Sequence, residues 1–194
     1  MTKKIFILVG HPDSQSFNTL LADAYEKGAK EVGNEVKKLN LGDLKFDPIL
    51  HQGYKVIQEL EPDLIQIQEN IKWSEHFVIF YPSWWSTMPA LLKGMFDRIW
   101  LPGFAFHFNK KGSHSFGWQK LLKGGTARVF VSSDSHPWLS RILFGDSVNE
   151  IKKGILSFAG FKTKVKKIGP IKNISPAQKQ KWLTKMQKWG SESY

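Results

Sequence analysis

The sequence predicts a three-layer α/β fold built on a doubly wound, parallel, five-stranded sheet of strand order 2-1-3-4-5. Three observations carry that expectation. Short apolar runs, Ile5 to Val9 and Phe77-Val-Ile-Phe80, are bounded by turn residues, as in strands buried on both faces. Segments with apolar residues at helical spacing alternate with such runs along the chain. No long repeat, low-complexity tract or linker interrupts the 194 residues, so 1–194 reads as one domain.

The elements follow in order. Ile5 to Val9 is the first strand, and Leu20, Leu21, Ala24, Tyr25 and Ala29 mark a helix behind it. Glu35 to Leu41 is a second strand after the Gly33-Asn34 break. Pro62 to Trp73 repeats Leu64, Ile65, Ile67 and Ile71 at helical spacing. His76 to Tyr81 is the third strand, and Pro89 to Trp100 is a helix with Leu91, Leu92, Met95, Phe96, Ile99 and Trp100 on its apolar face. Ala127 to Ser133 is the fourth strand, helix-like sequence runs from about Asp146 to Ala159, and Lys162 to Ile168 closes the sheet. Ser175-Pro-Ala-Gln178 opens the last helix, with Ser175 as cap, Pro176 in the first turn and Gln178 as reciprocal partner.

Composition bounds the chemistry. The chain has no cysteine, which excludes disulfides, thiolate nucleophiles and Cys-based zinc sites. His107, His114 and His136 lack ligand spacing, so no metal site is expected. There is no Gly-x-Ser-x-Gly elbow, no Gly-x-Gly-x-x-Gly and no Gly-Lys-Ser/Thr signature, which disfavours serine hydrolases, dinucleotide-fold dehydrogenases and phosphate-loop NTPases. No apolar run approaches the roughly 20 residues of a membrane helix and no signal peptide is evident, so a cytoplasmic protein is expected. The formal charge is +11, from 28 Lys and Arg against 17 Asp and Glu, with many lysines after residue 150. These lysines are spread over several elements without a compact aromatic-interleaved stripe, so they read as a solvated face, and no nucleic-acid partner is expected.

The strand ends carry the functional signal, because ligands of doubly wound sheets bind at the carboxyl ends of the strands near the switch in strand order. The first such loop, Gly10-His-Pro-Asp-Ser-Gln-Ser-Phe-Asn18, sets hydroxyls and a helix N-terminus where a phosphate could sit, although Ser, Asn and Thr are also ordinary caps. The third is Tyr81-Pro-Ser-Trp-Trp-Ser-Thr-Met-Pro89, with adjacent tryptophans framed by prolines. The fourth, Ser132-Ser-Asp-Ser-His-Pro-Trp138, has small polar residues and backbone amides. Flat apolar contact together with N–H donors is what an isoalloxazine ring requires.

The chain resembles the flavodoxin-like NAD(P)H:quinone oxidoreductases, the family of DT-diaphorase and of the bacterial quinone reductase associated with potassium efflux. The resemblance lies in His11 with Ser16-Phe-Asn18, in Phe80-Tyr-Pro-Ser-Trp-Trp-Ser-Thr-Met-Pro-Ala-Leu-Leu-Lys-Gly-Met-Phe-Asp-Arg98, in Gly103-Phe-Ala-Phe106 and in Leu156-Ser-Phe-Ala-Gly-Phe161. It implies a flavodoxin-like fold in which His11, Ser16, Phe17 and Asn18 hold the phosphate and ribityl chain of a flavin. Pro82, Ser83, Trp84 and Trp85 would run beside the ring with their N–H groups toward N5 and the neighbouring carbonyl, and Ser86 would edge that loop. Ser132, Ser133, Asp134 and Ser135 replace the family's Thr-Thr-Gly-Gly loop, and only the backbone of Asp134 is expected to face the ring. The family's Tyr and His beyond that loop have no counterparts here; Trp138, Phe144 and His136 fall nearest them, and no catalytic residue is assigned.

The resemblance further implies FMN, with FAD as the alternative, and NADPH or NADH as hydride donor. It implies ping-pong reduction of a quinone or another flat acceptor by a homodimer. Phe104, Phe106, Phe108, Phe116 and Trp118 would form a lid or interface patch. Two other readings stay open: a flavin-binding redox sensor attached to a membrane-protein partner, and a basic nucleic-acid-binding protein.

Overall fold

The computed structural model describes residues 2–108 and 117–192. Among the described residues seven strands are formed, five of them in one parallel sheet: β1 (Lys4–Val9), β2 (Glu35–Asn40), β3 (His76–Pro82), β6 (Thr126–Ser132) and β7 (Lys162–Ile168). Their order is β2-β1-β3-β6-β7, which in sheet strands is the expected 2-1-3-4-5. The short strands β4 (Phe106–Phe108) and β5 (Trp118–Lys120) pair antiparallel outside this sheet. The helices are α1 (Phe17–Glu31), α2 (Pro62–Trp73), α3 (Ala90–Ile99), α4 (Pro137–Phe144) and α5 (Pro176–Glu192), with a π-helical segment at Glu150–Ser157. No helix of the described residues is long and apolar enough to cross a membrane.

The sheet is apolar on both faces because its central strands alternate apolar residues in both directions. Ile5, Ile7, Val9, Val78, Phe80 and Phe130 pack under α1 and α5. Phe6, Leu8, Phe77, Ile79, Tyr81, Val129 and Val131 pack under α2, α3 and the π-helical segment. On the first face Phe80 stacks on Phe130 at 4.7 Å, and Phe130 stacks on Trp189 of α5 at 5.6 Å. Helices α1 and α5 meet backbone to backbone at two glycines. A Cβ at Gly28 would lie 1.8 Å from the Gln187 carbonyl oxygen, and one at Gly190 would lie 2.0 Å from that of Tyr25.

Most boundaries agree with the sequence to within a residue. Pro89 and Trp100 flank α3 as its cap positions, and Leu41 opens a 3-10 turn instead of ending β2. The capping box of α5 forms in both directions, Gln178 N–H to Ser175 Oγ at 3.2 Å and Ser175 N–H to Gln178 Oε1 at 3.1 Å. The helix expected from Asp146 begins later, after a turn, and is π-wound through Glu150–Ser157. Helix α4 is absent from the sequence reading. Its signal was Pro137 in the first turn and Gly145 with φ 75° just after the end.

Beyond β2 the long connection to α2 is tied down by one buried cation. Arg98 on α3, 1% exposed, donates to the carbonyls of Asp47 and Glu59 and makes a two-pronged pair with Glu61, 3.2 Å to Oε1 and 2.9 Å to Oε2. Burial alone would raise the Glu61 pKa. Backbone N–H donors, including that of Asp47, and the Arg98 guanidinium outweigh burial and hold it below the usual carboxylate range.

Candidate functional site

Three loops leave the carboxyl ends of β1, β3 and β6 side by side. The first is organised by the start of α1. Ser16 is the N-cap with extended backbone, accepting from the Thr19 N–H at 3.3 Å while its hydroxyl sits 3.1 Å from Thr19 Oγ1. The first-turn N–H groups of Phe17 and Asn18 have no intrahelical acceptor, so they and the positive end of the helix dipole face outward. No acidic residue occupies that first turn. His11 accepts the Asp13 N–H on Nδ1 at 2.9 Å, which in the neutral ring leaves Nε2–H as its donor. The same ring meets Trp84 edge-on at 5.4 Å.

The second loop is a tight reversal. The Trp84 N–H donates to the Thr87 carbonyl at 2.9 Å, and the Thr87 N–H returns to that of Trp84 at 3.1 Å. Trp85 and Ser86 between them have φ of 50° and 64°, the paired positive values of type I′ hairpin turns, where Asn and Gly are the usual residues. A β-substituted residue in this region stores strain of order 1–3 kcal/mol and persists when its surroundings over-determine it. Thr87 Oγ1 supplies one such restraint by donating to Glu150 at 2.6 Å. Trp84 is 44% and Trp85 100% exposed, so neither is a core residue.

This turn narrows the expected donor set. Pro82 has no N–H. The Ser83 N–H is used by the Ser132 carbonyl at 2.7 Å, and the Trp84 N–H is spent inside the turn. Trp85 and Ser86 are the residues whose N–H groups remain to meet a ligand edge.

The third loop is joined to the other two. Asn18 and Ser132, both buried, bond through both atoms of the amide: Nδ2 donates to Ser132 Oγ at 3.0 Å, and Ser132 Oγ lies 3.1 Å from Oδ1. The Ser133 N–H donates to the Ile168 carbonyl at 2.9 Å, and the Ile171 N–H donates to that of Ser133 at 3.0 Å. Ser133 Oγ donates to the Ser135 carbonyl at 2.8 Å, and the side chain of Asp134 is exposed.

The result is one pocket of about 720 Å³, within the usual range for a small-molecule site. His11, Ser16, Phe17 and Asn18 line one end. Pro82, Ser83, Trp84, Trp85 and Ser86 line a second side, and Ser132, Ser133, Asp134 and Ser135 a third. Ser140, Phe144, Ser147 and Ile171 complete it, and none was named as a site residue from the sequence. Ser140 and Phe144 come with the overlooked helix α4. Ile171 follows the fifth sheet strand, whose loop could have been recruited by the same strand-end rule. Among the lining residues only His11 and Asp134 are titratable, so the hydroxyl-rich end relies on amide dipoles to receive negative charge. Tyr81, just below the floor, is pushed above its ordinary pKa by burial, with the Glu150 carboxylate adding to the shift.

The aromatic segment lies elsewhere. Phe104 is core, while Phe106 and Phe108 line a second, apolar cavity of about 920 Å³ with Tyr54, Val56, Ile57 and Phe158. Trp118 stacks on Phe158 at 4.4 Å. His114 and Phe116 lie outside the described residues. His107 sits in β4 and His136 is the N-cap residue of α4.

A family described by a flavodoxin-like fold matches residues 3–185. NAD(P)H dehydrogenase (quinone) 1 of Cavia porcellus is 25% identical over 190 residues, covering 82% of this chain and 65% of its own length, so the chain spans about 65% of that relative. The NAD(P)H:quinone oxidoreductase of Methanothermobacter marburgensis superposes with a TM-score of 0.82 over 100% of both chains at 22% identity. An FMN-dependent NADH-azoreductase of Bacillus anthracis in complex with FMN superposes with a TM-score of 0.73 over 97% of this chain and 98% of that one, at 19% identity. The match over 3–185, with the strand order and the shared rim of loops, shows that the chain belongs to the flavodoxin-like fold family, and within it the chain is similar to NAD(P)H:quinone oxidoreductases.

Proposed function

We propose that the chain is a flavin-dependent NAD(P)H:quinone oxidoreductase that holds FMN in the pocket at the carboxyl ends of β1, β3 and β6. The observation that carries this reading is the convergence of those three loops on one pocket whose chemistry changes along its length. At one end stand the Ser16 hydroxyl and the first-turn N–H groups of α1, suited to a phosphate held without a lysine or a metal. At the other, the Trp84 ring offers an apolar face, and Trp85 and Ser86 offer N–H groups to a polar ring edge.

Bound FMN supplies reversible uptake and release of a hydride. The chain's own residues bind, orient and shield. The Asn18–Ser132 pair fixes the spacing of the first and third loops, and the Ser83 N–H to Ser132 carbonyl bond fixes the second against the third. No side chain has to move a proton for hydride transfer, in keeping with a lining whose titratable groups are His11 and Asp134. NAD(P)H and a flat acceptor would use the same open face in turn, in a ping-pong sequence. A second copy of the chain would complete the cleft, and the apolar cavity around Phe106 and Phe108, beside the highly exposed Ile57, is the surface it would cover.

The similarity to proteins named quinone dehydrogenases, and to a structure described with FMN, supports the reading. Its test is steady-state oxidation of NADH and NADPH with menadione by flavin-loaded protein, followed by chromatography of the released cofactor. Acceptor-dependent turnover with FMN released supports it. Flavin bound without turnover would instead make the chain a redox sensor.

A further inference from the structure

Three of the four lysines of strand β7 face solvent and one does not. Lys162, Lys164 and Lys166 are exposed, while Lys167 falls on the other side of the pleat with the half-buried Thr163 and Val165. Its register partner on β6 is Val131, whose own partner on β3 is Tyr81, and both belong to the core. Lys167 therefore stands on one of the last rungs beneath the rim, on the face that the π-helical segment covers. There its side chain is 20% exposed, and Nζ donates to Ser147 Oγ at 3.3 Å. Ser147 lines the candidate flavin pocket. Its oxygen accepts from Lys167, and no acceptor takes its own O–H among the described residues, so that hydrogen is free to point into the pocket. Strand β7 lies three strand spacings from β1, roughly 14 Å, which sets this pair across the pocket from the hydroxyls and amides at the start of α1.

The charges around the pair leave it a net donor. Asp146 lies 3.9 Å from Lys167 Nζ and is 41% exposed, so water screens it and it offsets the ammonium only in part. The other carboxylates of the rim are engaged elsewhere or open to water. Asp13 accepts the Gln15 N–H at 2.8 Å on the first loop, Glu150 accepts from Thr87 at 2.6 Å beside the second, and the Asp134 side chain is exposed. Arg141 and Lys172 are exposed as well, and solvent screens them. Lys167 is held largely out of water against a lining hydroxyl. A flavin ring takes up a hydride, two electrons and one proton, which NAD(P)H loses, so the ring gains one negative charge, spread over its pyrimidine portion. A hydroxyl donor backed by an ammonium group holds such a ring more tightly after reduction than before, which raises its reduction potential.

We propose that the Ser147 hydroxyl donates to the pyrimidine end of the flavin ring and that Lys167 is the positioning residue behind it. Lys167 occupies the Ser147 oxygen, turns its hydrogen toward the ring and lends positive charge, so the pair sets the reduction potential of the site. This inference rests on the flavin-reductase reading and deepens it.

The test is the two-electron midpoint potential of FMN bound to the full chain, measured spectroelectrochemically, alongside the affinity for oxidised FMN from fluorescence. Lys167→Met and, separately, Ser147→Ala should weaken the hold on reduced relative to oxidised FMN about tenfold, a fall of about 30 mV. Lys167→Arg should recover most of that fall, and Asp146→Asn should shift the potential upward. Lys166→Met, on the solvent side of the same strand, should leave it unchanged. Wild-type potentials in both Lys167→Met and Ser147→Ala would overturn the proposal while the bound flavin leaves the reductase reading standing. So would an equal fall in Lys166→Met, which would assign the effect to the overall charge of the chain. Should Lys167→Met fail to fold, Ser147→Ala decides alone. A wild-type chain that takes up no flavin would sink the proposal and the reductase reading together.

Discussion

The two ends of strands β3 and β6 are built to opposite ends. At their amino termini His76 is 1% exposed, with Nε2 3.1 Å from the Tyr25 hydroxyl and Nδ1 2.7 Å from Thr126 Oγ1. Both ring nitrogens are satisfied within the protein. At the carboxyl termini of the same strands, the turn holding Trp85 and Ser86 has positive φ, its tryptophans are exposed, and two of its N–H groups are left over. One end of the sheet is committed to stability and the other carries strain and unspent donors, the division expected of a rigid scaffold that presents a binding rim.

The largest expected effect breaks the stable end. Gly190→Ala would drive a Cβ to within 2.0 Å of the carbonyl of Tyr25, the residue that closes on His76. The forced separation of α1 and α5 should cost about 3 kcal/mol or somewhat more, less the ~1 kcal/mol that Ala gains over Gly inside a helix. Thermal or urea unfolding would read the loss, with flavin affinity of the folded fraction unchanged.

Stability at this end should also depend on pH. Burial, helped by the charges of Lys3 and Arg128, lowers the His76 pKa from its ordinary value to about 4. The folded chain therefore keeps the ring neutral between about pH 4 and 6.5, while the unfolded chain takes up a proton. Above that window His76 contributes no slope. Stability should fall as pH drops through it, by about 2 kcal/mol from about pH 7 to about pH 5. Denaturant melts at the two pH values would show this, and His76→Gln should flatten the slope whatever it does to stability at neutral pH.

At the open end the effects on stability shrink and those on binding grow. Ser132→Ala leaves the buried Asn18 amide without its partner, a loss of about 1–2 kcal/mol, and loosens the first loop from the third. FMN affinity should fall more than stability does. Smallest is Ser86→Gly, which relieves a φ of 64° and raises unfolded-state entropy, so the melting temperature should move by a degree or so in either direction. If Ser86→Gly were strongly destabilising, the turn would not be strained and the contrast between the two ends would weaken.

The sequence made the sheet legible because every central strand is apolar on both faces, a pattern few other elements produce. The rim followed from the strand order, and the named residues of its three loops do line one pocket. What was not legible has physical causes. Helix α4 buries nothing and is short, so although Trp138, Leu139, Ile142 and Leu143 stand at helical spacing between Pro137 and Gly145, the segment reads equally well as part of the loop after the fourth sheet strand. The use of the Ser83 and Trp84 N–H groups within the protein could not be read from residue types, since it depends on a turn formed without the usual Asn or Gly. The Thr87–Glu150 bond spans 63 residues, and nothing in either local sequence announces it.

The most direct test is a fluorescence titration of FMN with the full chain, run in parallel with the Asn18→Ala variant. Saturable quenching at one FMN per chain is expected, weakened at least about tenfold in Asn18→Ala. FMN fluorescence that stays constant at every protein concentration, for a chain shown to be folded, would contradict it.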